Sequence, residues 1–315
     1  MIPMSLSIEF VACLPNKKTF EGVDAGGFAD IFDGFYLGQP YCLKSAGNFL
    51  CNHDDLRAVV GALRGLGKKA YLTTPAISKG KDLTMVRKAI TAAVAAGIDG
   101  IEAHDVGVFR ILRNEFPGVP AHVGNFANVY NEKTAALYKR LGAARIAPSN
   151  ELTGEELAIV TAVEGVEFAR PVHGPLPLGM AYACLLRRAG DGETVDPCRQ
   201  QCATEHFMEL DGWRMRSVGT SVLMGEDYCL VEHLAGLLSA GVSTMRLETY
   251  FDFPERITAL GKIYRRALDD ALAGRAADRE QIAAVRALTT AGLCNGWHFG
   301  QSGREYVGRG EKSVG

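Results

Sequence analysis

Three cysteines stand close together in the middle of the chain, at Cys184, Cys198 and Cys202. Thirteen residues separate the first pair and three residues separate the second pair. Because a gap of three residues lets two thiolates reach one centre from a loop or a single helical turn, the spacing indicates a metal site. Soft thiolates favour zinc or an iron–sulfur cluster. The paired spacings typical of zinc knuckles do not occur here, so the spacing leaves the metal open, with three unligated loop thiols as the plainer alternative.

A fourth ligand is needed to complete such a site, and the other cysteines are the candidates. Cys42 follows the second predicted strand, and Cys229 opens the helix after the cysteine-rich segment. Cys13, Cys51 and Cys294 are further options, but a lone cysteine is most often a small buried hydrophobe, which is the default interpretation for these three.

Charged residues at the ends of predicted strands are candidates for proton transfer and substrate binding. Glu102 and Asp105 end the fourth strand with His104 between them, a grouping that suits proton transfer. The plainer interpretations are that Asp105 caps the following helix and that His104 is a structural group.

Three more polar residues lie in corresponding positions on later strands. Arg246 and Glu248 alternate on one face of the last strand, so we expect them to pair, and the arginine can bind an anionic substrate. His173 precedes the Gly-Pro loop that opens the cysteine-rich segment, where it either orients a ligand or makes a structural hydrogen bond.

Short β-rich runs alternate with helical periods along most of the chain, which favours parallel strands joined by right-handed crossovers. The predicted strands cover residues 7–13, 34–38, 70–74, 99–105, 121–125, 145–149, 166–173 and 243–248. The predicted helices cover residues 54–66, 83–96, 132–141, 154–163, 230–240 and 254–273. Eight such units predict an α/β fold, a TIM-like (β/α) barrel that is closed or nearly closed, with an open doubly wound sheet as the competitor.

The barrel is predicted to occupy the whole chain, residues 1–315, as one domain. Residues 175–225 break the strand–helix rhythm and are predicted to form a cysteine-bearing insertion after strand seven, with a hairpin around residues 211–217. Residues 289–315 are predicted to be a C-terminal cap segment.

Composition and charge exclude some classes of protein. Lysine and arginine number 34 and aspartate and glutamate number 36, a net charge of −2, so we expect nucleic acid to be an unlikely partner. No apolar run approaches the roughly 18 residues of a membrane span. The first residues show no basic region followed by an apolar one, so we expect a cytoplasmic protein with reduced thiols.

Several segments resemble peptidase family U32, and most closely the branch of it that acts in anaerobic ubiquinone biosynthesis. The specific segments are residues 175–184 (Pro-Leu-Pro-Leu-Gly-Met-Ala-Tyr-Ala-Cys) and 196–202 (Asp-Pro-Cys-Arg-Gln-Gln-Cys). Residues 36–42 (Tyr-Leu-Gly-Gln-Pro-Tyr-Cys), 101–108 (Ile-Glu-Ala-His-Asp-Val-Gly-Val) and 294–297 (Cys-Asn-Gly-Trp) also match. The similarity covers nearly the whole chain.

The resemblance implies a 4Fe–4S cluster as cofactor. Carried over residue by residue, its ligands are Cys42, Cys184, Cys198 and Cys202. Cys229 resembles a cysteine of the wider family and is kept as the alternative fourth ligand.

The resemblance also implies a function. The chain would be a subunit of an oxygen-independent hydroxylase that forms a heteromer with a second family member. The substrate would be an aromatic quinone precursor, with prephenate as possible oxygen donor. Hydroxylation of tRNA or rRNA bases and a non-catalytic scaffold are alternatives. A peptidase is disfavoured because the sequence has neither a Gly-x-Ser-x-Gly nor a His-Glu-x-x-His motif.

Overall fold

Eight parallel strands close into a barrel in the computed structural model, which describes residues 8–189, 198, 202, 206–301 and 303–308. The barrel strands are β1 Glu9–Leu14, β2 Gly34–Leu37, β3 Lys69–Thr73, β4 Gly100–Ala103, β5 Ala121–Val123, β6 Ala143–Ile146, β7 Glu167–Gly174 and β13 Thr244–Leu247. The other strands of the described residues are β8 Pro177–Met180, β9 His206–Leu210, β10 Trp213–Ser217, β11 Ser221–Met224, β12 Asp227–Cys229 and β14 Leu293–Cys294. Strands β1 to β7 follow in order around the barrel, and β13 pairs with both β1 and β7. The predicted TIM-like barrel is confirmed, and it is closed.

Helices cover the outside of the barrel. They are α1 Lys17–Ala25, α2 His53–Gly65, α3 Leu83–Ala96, α4 Val106–Glu115, α5 Glu132–Arg140, α6 Gly154–Thr161, α7 Leu185–Ala189, α8 Leu234–Ser239, α9 Pro254–Leu272 and α10 Arg279–Ala287. The six predicted helices are present, while α1, α4, α7 and α10 were not predicted. In α1 only Phe20 and Val23 are buried, which is too short an apolar stripe to read from sequence.

Successive side chains of each barrel strand point to opposite faces of the sheet, as in any pleated strand, so they alternate between the helix layer and the barrel interior. On β1, Phe10 and Ala12 join the main core beneath the helices, whereas Val11 and Cys13 face the barrel interior. Inward-facing positions on the other strands carry the polar residues from which the candidate site is built.

The predicted insertion contributes a second, four-stranded antiparallel sheet in the order β8-β11-β10-β9. The predicted hairpin is present, because β9 and β10 pair with Trp213 opposite Leu210. Within the predicted insertion, residues 190–197, 199–201 and 203–205 lie outside the described residues, as do residues 302 and 309–315 of the predicted cap. The described part of the cap docks through β14, which pairs with β12.

None of the helices in the described ranges combines the length and the apolar character needed to cross a membrane.

Candidate functional site

Four cysteines from two distant segments influence one another electrostatically. Cys42 lies in the loop after β2, and Cys184, Cys198 and Cys202 lie between β8 and β9. Burial raises the pKa of Cys42, and the thiols of Cys198 and Cys184 raise it further. Burial also raises the pKa of Cys202, with further contributions from Cys42, Cys198 and Cys184. Cys42, Cys198 and Cys184 therefore all lie close enough to Cys202 to affect its pKa.

The turn between β10 and β11 lies against these thiols. A Cβ atom built on Gly219 would lie 3.1 Å from Cys184 Sγ and 3.9 Å from Cys202 Cβ. The backbone N–H of Arg187 donates to Cys184 Sγ over 3.4 Å. A hydrogen bond of this kind stabilises the charged form of a thiol. Within the described ranges, no three or more His, Cys, Asp or Glu side chains form a group that could hold a metal ion.

The alternative fourth ligand lies in a different environment. Cys229 is fully buried on β12, opposite His173 of β7. The hydroxyl of Tyr264 donates to its Sγ over 3.3 Å, and burial raises the pKa of Cys229 to about 11. Cys42, rather than Cys229, is the fourth cysteine that acts on Cys202.

The default interpretation of the three remaining cysteines holds for two of them. Cys13 and Cys294 are buried, as expected, but Cys51 is exposed and donates to the carbonyl of Leu43 over 3.3 Å.

A buried ionic network fills the upper part of the barrel interior. Arg246 Nη1 donates to Glu102 Oε1 over 2.7 Å, and its Nε donates to Glu248 Oε1 over 2.7 Å. All three side chains are at most 3% exposed. The predicted pairing of Arg246 with Glu248 is thus observed, and Glu102, from a strand across the barrel, shares the same guanidinium.

The two carboxylates have opposite pKa shifts. Burial raises the pKa of both, but Arg246 and His104 hold the pKa of Glu102 well below its usual range. Arg246 offsets only part of the increase that burial causes in the pKa of Glu248, and the negative charge of Glu102 raises this pKa further, so it lies above its usual value. Environments that separate two neighbouring carboxyl groups in this way are typical of acid–base sites.

Glu102 has two further partners at the mouth of the barrel. Thr73 Oγ1 donates to Glu102 Oε2 over 2.8 Å. His104 Nε2 lies 3.2 Å from Glu102 Oε2 and 3.1 Å from Thr73 Oγ1. The sequence grouped His104 with Glu102 for proton transfer and kept a structural role as the plainer alternative, and the folded chain adds the contacts of both residues with Thr73.

Aromatic rings surround the barrel mouth between this network and the cysteines. The ring of Tyr41 lies 5.7 Å from Phe126, 5.6 Å from Tyr250 and 5.5 Å from Phe251, measured between centroids. Tyr41 directly precedes Cys42, so the aromatic group adjoins the four thiols. Sequence analysis missed this group because its members come from three separate loops; the only signal was Tyr41 within the matched segment 36–42.

Two candidate residues lie away from this site. Asp105 caps α4, as the plainer interpretation expected, because its Oδ1 accepts from the N–H groups of Gly107 and Val108 over 2.7 and 3.1 Å. His173 makes a structural contact, with Nδ1 lying 3.2 Å from the Tyr264 hydroxyl of α9. The structure therefore brings together Glu102, Arg246 and Glu248 but neither of these two.

Comparison with known proteins defines the family. The family model described as Peptidase family U32 matches residues 21–308. The chain belongs to peptidase family U32. The match confirms the resemblance that the cysteine segments indicated.

Curated U32 relatives differ in their names. A tRNA hydroxylation protein P from Escherichia coli K12 is 24% identical over 86% of this chain and 70% of its own length. A collagenase from Porphyromonas gingivalis W83 is 23% identical over 84% of this chain and 67% of its own length.

Among solved structures, a sialic acid aldolase from Ruminococcus gnavus matches 91% of this chain and 78% of its own chain with a TM-score of 0.51. Its sequence identity is 8%, so this likeness concerns the barrel fold alone.

Proposed function

We propose that this chain is the iron–sulfur component of an oxygen-independent hydroxylation of an aromatic ring, with a 4Fe–4S cluster held by Cys42, Cys184, Cys198 and Cys202. The observation that supports the proposal is that Cys42, from a distant loop beside Tyr41, raises the pKa of Cys202 together with Cys198 and Cys184. A bound cluster would supply redox chemistry at that position.

The donor set fits a cluster better than a single ion. In a four-iron cluster each thiolate binds a different iron, so the sulfur atoms stand further apart than they do around one metal ion. Four thiols are the usual donors of such a cluster, and Cys42, Cys198 and Cys184 all act on the pKa of Cys202. The protein itself would bind and orient the substrate through the aromatic rings and the Arg246 network.

The first substrate candidate is a quinone precursor. The segments at residues 36–42, 101–108 and 294–297 resemble UbiV, the protein of anaerobic ubiquinone biosynthesis, and this resemblance supports a UbiV-like role. The chain would then form a heteromer with a UbiU-like partner in the cytoplasm and take its oxygen atom from prephenate. The single rings of Tyr41, Phe126 and Phe251 suit contact with a planar aromatic substrate.

A second candidate substrate is an RNA base, and the name of the relative from Escherichia coli favours it. That relative weakens our expectation, drawn from the net charge of −2, that nucleic acid is an unlikely partner. A base is also a planar ring, and a partner protein would have to contribute much of the phosphate-binding surface.

Two other functions have less support from the chain and its relatives. A collagenase-named relative keeps amide hydrolysis as an alternative, which predicts cleavage of gelatin by metal-free protein. A non-catalytic scaffold predicts that the cluster can be lost without effect on any hydroxylation.

Iron and sulfide assays on anaerobically purified variants test the ligand set. We expect about four irons per chain in the wild-type protein. Cys42→Ser and Cys184→Ser should lose most of this iron because each removes one proposed ligand. Cys51→Ser, in the same loop as Cys42, and Cys229→Ser should keep it. Full iron content in the Cys42→Ser protein would reject the proposed ligand set.

Growth of a deletion strain without oxygen distinguishes the two substrates. Mass spectrometry of its lipids would show a missing quinone hydroxylation if the first candidate is correct. Mass spectrometry of its nucleosides would show a missing hydroxylated base if the second is correct. Normal quinones and normal nucleosides together would reject the hydroxylation proposal.

A further inference from the structure

We infer that His104 is the proton acceptor for the aromatic substrate, with Glu102 and Thr73 as the residues that position its imidazole. The inference rests on the proposed function and assigns, within the group of residues that the sequence indicated for proton transfer, which atom accepts the proton. Its basis is the hydrogen-bond geometry around the imidazole together with an unpartnered ring nitrogen at the barrel mouth.

The partners of His104 fix which nitrogen carries hydrogen. Nε2 lies 3.2 Å from Glu102 Oε2, and the Arg246 guanidinium keeps Glu102 ionised, so this carboxylate can only accept. Thr73 uses its hydroxyl hydrogen on Glu102 Oε2, so its oxygen also presents a lone pair to Nε2. Both contacts require a hydrogen on Nε2. Neutral His104 therefore has its free lone pair on Nδ1.

Nδ1 has no hydrogen-bond partner within the described residues, although His104 is only 3% exposed. A buried polar atom in that condition costs free energy unless a ligand satisfies it. Gly124 is the residue next to this edge of the ring, since a Cβ built there would lie 2.1 Å from Nδ1. Because the same Cβ would also lie 2.1 Å from Cε1, a side chain at this position would overlap the imidazole, so glycine is what lets His104 lie here.

The position of His104 links the ionic network to the aromatic mouth. Its ring lies 5.1 Å from the ring of Phe126, which contacts Tyr41, the neighbour of Cys42. The side chain of Asn125, next to Gly124, also has an unpartnered buried oxygen, Oδ1. Two unsatisfied polar atoms beside an aromatic surface suit a planar ring with polar edges, which is the substrate class of the proposed function.

A hydroxylated ring carbon must lose a proton. Once the oxygen donor has transferred its oxygen to that carbon, the carbon holds both the new oxygen and its original hydrogen, and the ring is no longer aromatic. His104 Nδ1 takes this hydrogen as a proton; the C–H bond breaks, an N–H bond forms, and the electron pair returns to the ring. The ionised Glu102 on the opposite edge stabilises the resulting imidazolium, with Arg246 and Glu248 as the other charged groups nearby.

The substitution His104→Gln separates this role from a structural one. A glutamine amide can still donate to Glu102 and Thr73 from the position of Nε2, but it has no basic nitrogen. We expect normal iron content, a normal unfolding transition and a fall in product formation of about 100-fold or more. The variant should still bind the substrate, with an unchanged KM and a lower kcat, because the imidazole acts after binding. His122→Asn, on strand β5, keeps an acceptor for Tyr36 and serves as control with a wild-type rate.

The outcomes are distinguishable. A wild-type rate in His104→Gln would overturn the inference and leave the proposed function intact. Loss of iron or of the unfolding transition in that variant would also overturn it, because His104 would then be structural. If wild-type protein hydroxylates neither class of substrate, the proposed function fails first and the inference fails with it.

Discussion

Arg246 carries its positive charge into the centre of the barrel, where it is 1% exposed. Burying a guanidinium costs several kcal/mol unless partners replace its water, and here two carboxylates do so from Glu102 and Glu248. Glu102 is the better satisfied of the two, since Thr73 and His104 also contact it. Of the two carboxylates, Glu102 therefore has the larger number of partners in the network.

Glu102→Gln is expected to lower the free energy of unfolding by about 3 kcal/mol, because it removes a buried partner and leaves Arg246 undercompensated. Urea denaturation monitored by circular dichroism measures this loss. Glu115→Gln breaks the exposed pair with Arg87 and serves as control, with no measurable loss expected. Equal stability of the two variants would contradict the importance assigned to the buried network.

The β10–β11 turn positions two of the proposed cluster ligands. Gly219 has a φ of +87°, a left-handed conformation that favours glycine, and it packs directly against Cys184. Gly212, in the β9–β10 turn of the same sheet, has a similar φ of +76° but no neighbour within 4 Å of an added Cβ. The two turns thus share a backbone conformation that strains any residue with a side chain, and they differ in contact with Cys184.

Gly219→Ala should reduce bound iron at least several-fold, because its methyl group would displace Cys184 Sγ. Gly212→Ala should suffer comparable backbone strain and keep its iron. The measurement is the iron and sulfide content of both variants after anaerobic purification. If both variants lose iron to the same extent, backbone strain rather than the contact with Cys184 is responsible.

The barrel as a whole depends on histidines that are buried in the neutral form. His173 joins β7 to α9 through Tyr264, and burial lowers its pKa to about 4. The unfolded chain takes up this proton below a pH of about 6.5, whereas the folded chain does so only near pH 4. The contribution of neutral His173 to the free energy of unfolding is therefore fully present above about pH 6.5 and is lost as the pH falls toward 4.

His173→Asn should flatten the pH dependence of stability, because asparagine can still donate to Tyr264 but does not titrate. The wild-type free energy of unfolding should fall by about 3 kcal/mol more than that of the variant between pH 7 and pH 4. Urea denaturation at a series of pH values measures the difference. Parallel curves for the two proteins would show that His173 does not contribute to acid sensitivity.

Sequence patterns predicted the barrel strands well, because each strand is a short β-rich run whose burial is a local property. They missed α1 and α10, where few apolar residues face the core. The pairing of Arg246 with Glu248 was predictable because these residues alternate on one strand. Their shared contact with Glu102 was not predictable, because it crosses the barrel interior from β13 to β4, which face each other once β13 pairs with β7 and closes the barrel.

The order of strands and helices and the presence of cysteines suited to a soft metal are written in the chain itself, since residue type and spacing are local. The folded structure decided the rest. It put Cys42, rather than Cys229, among the groups that raise the pKa of Cys202, and it left Nδ1 of His104 without a hydrogen-bond partner among the described residues. Both results depend on contacts between segments far apart in sequence, which only the closed barrel brings within reach of one another.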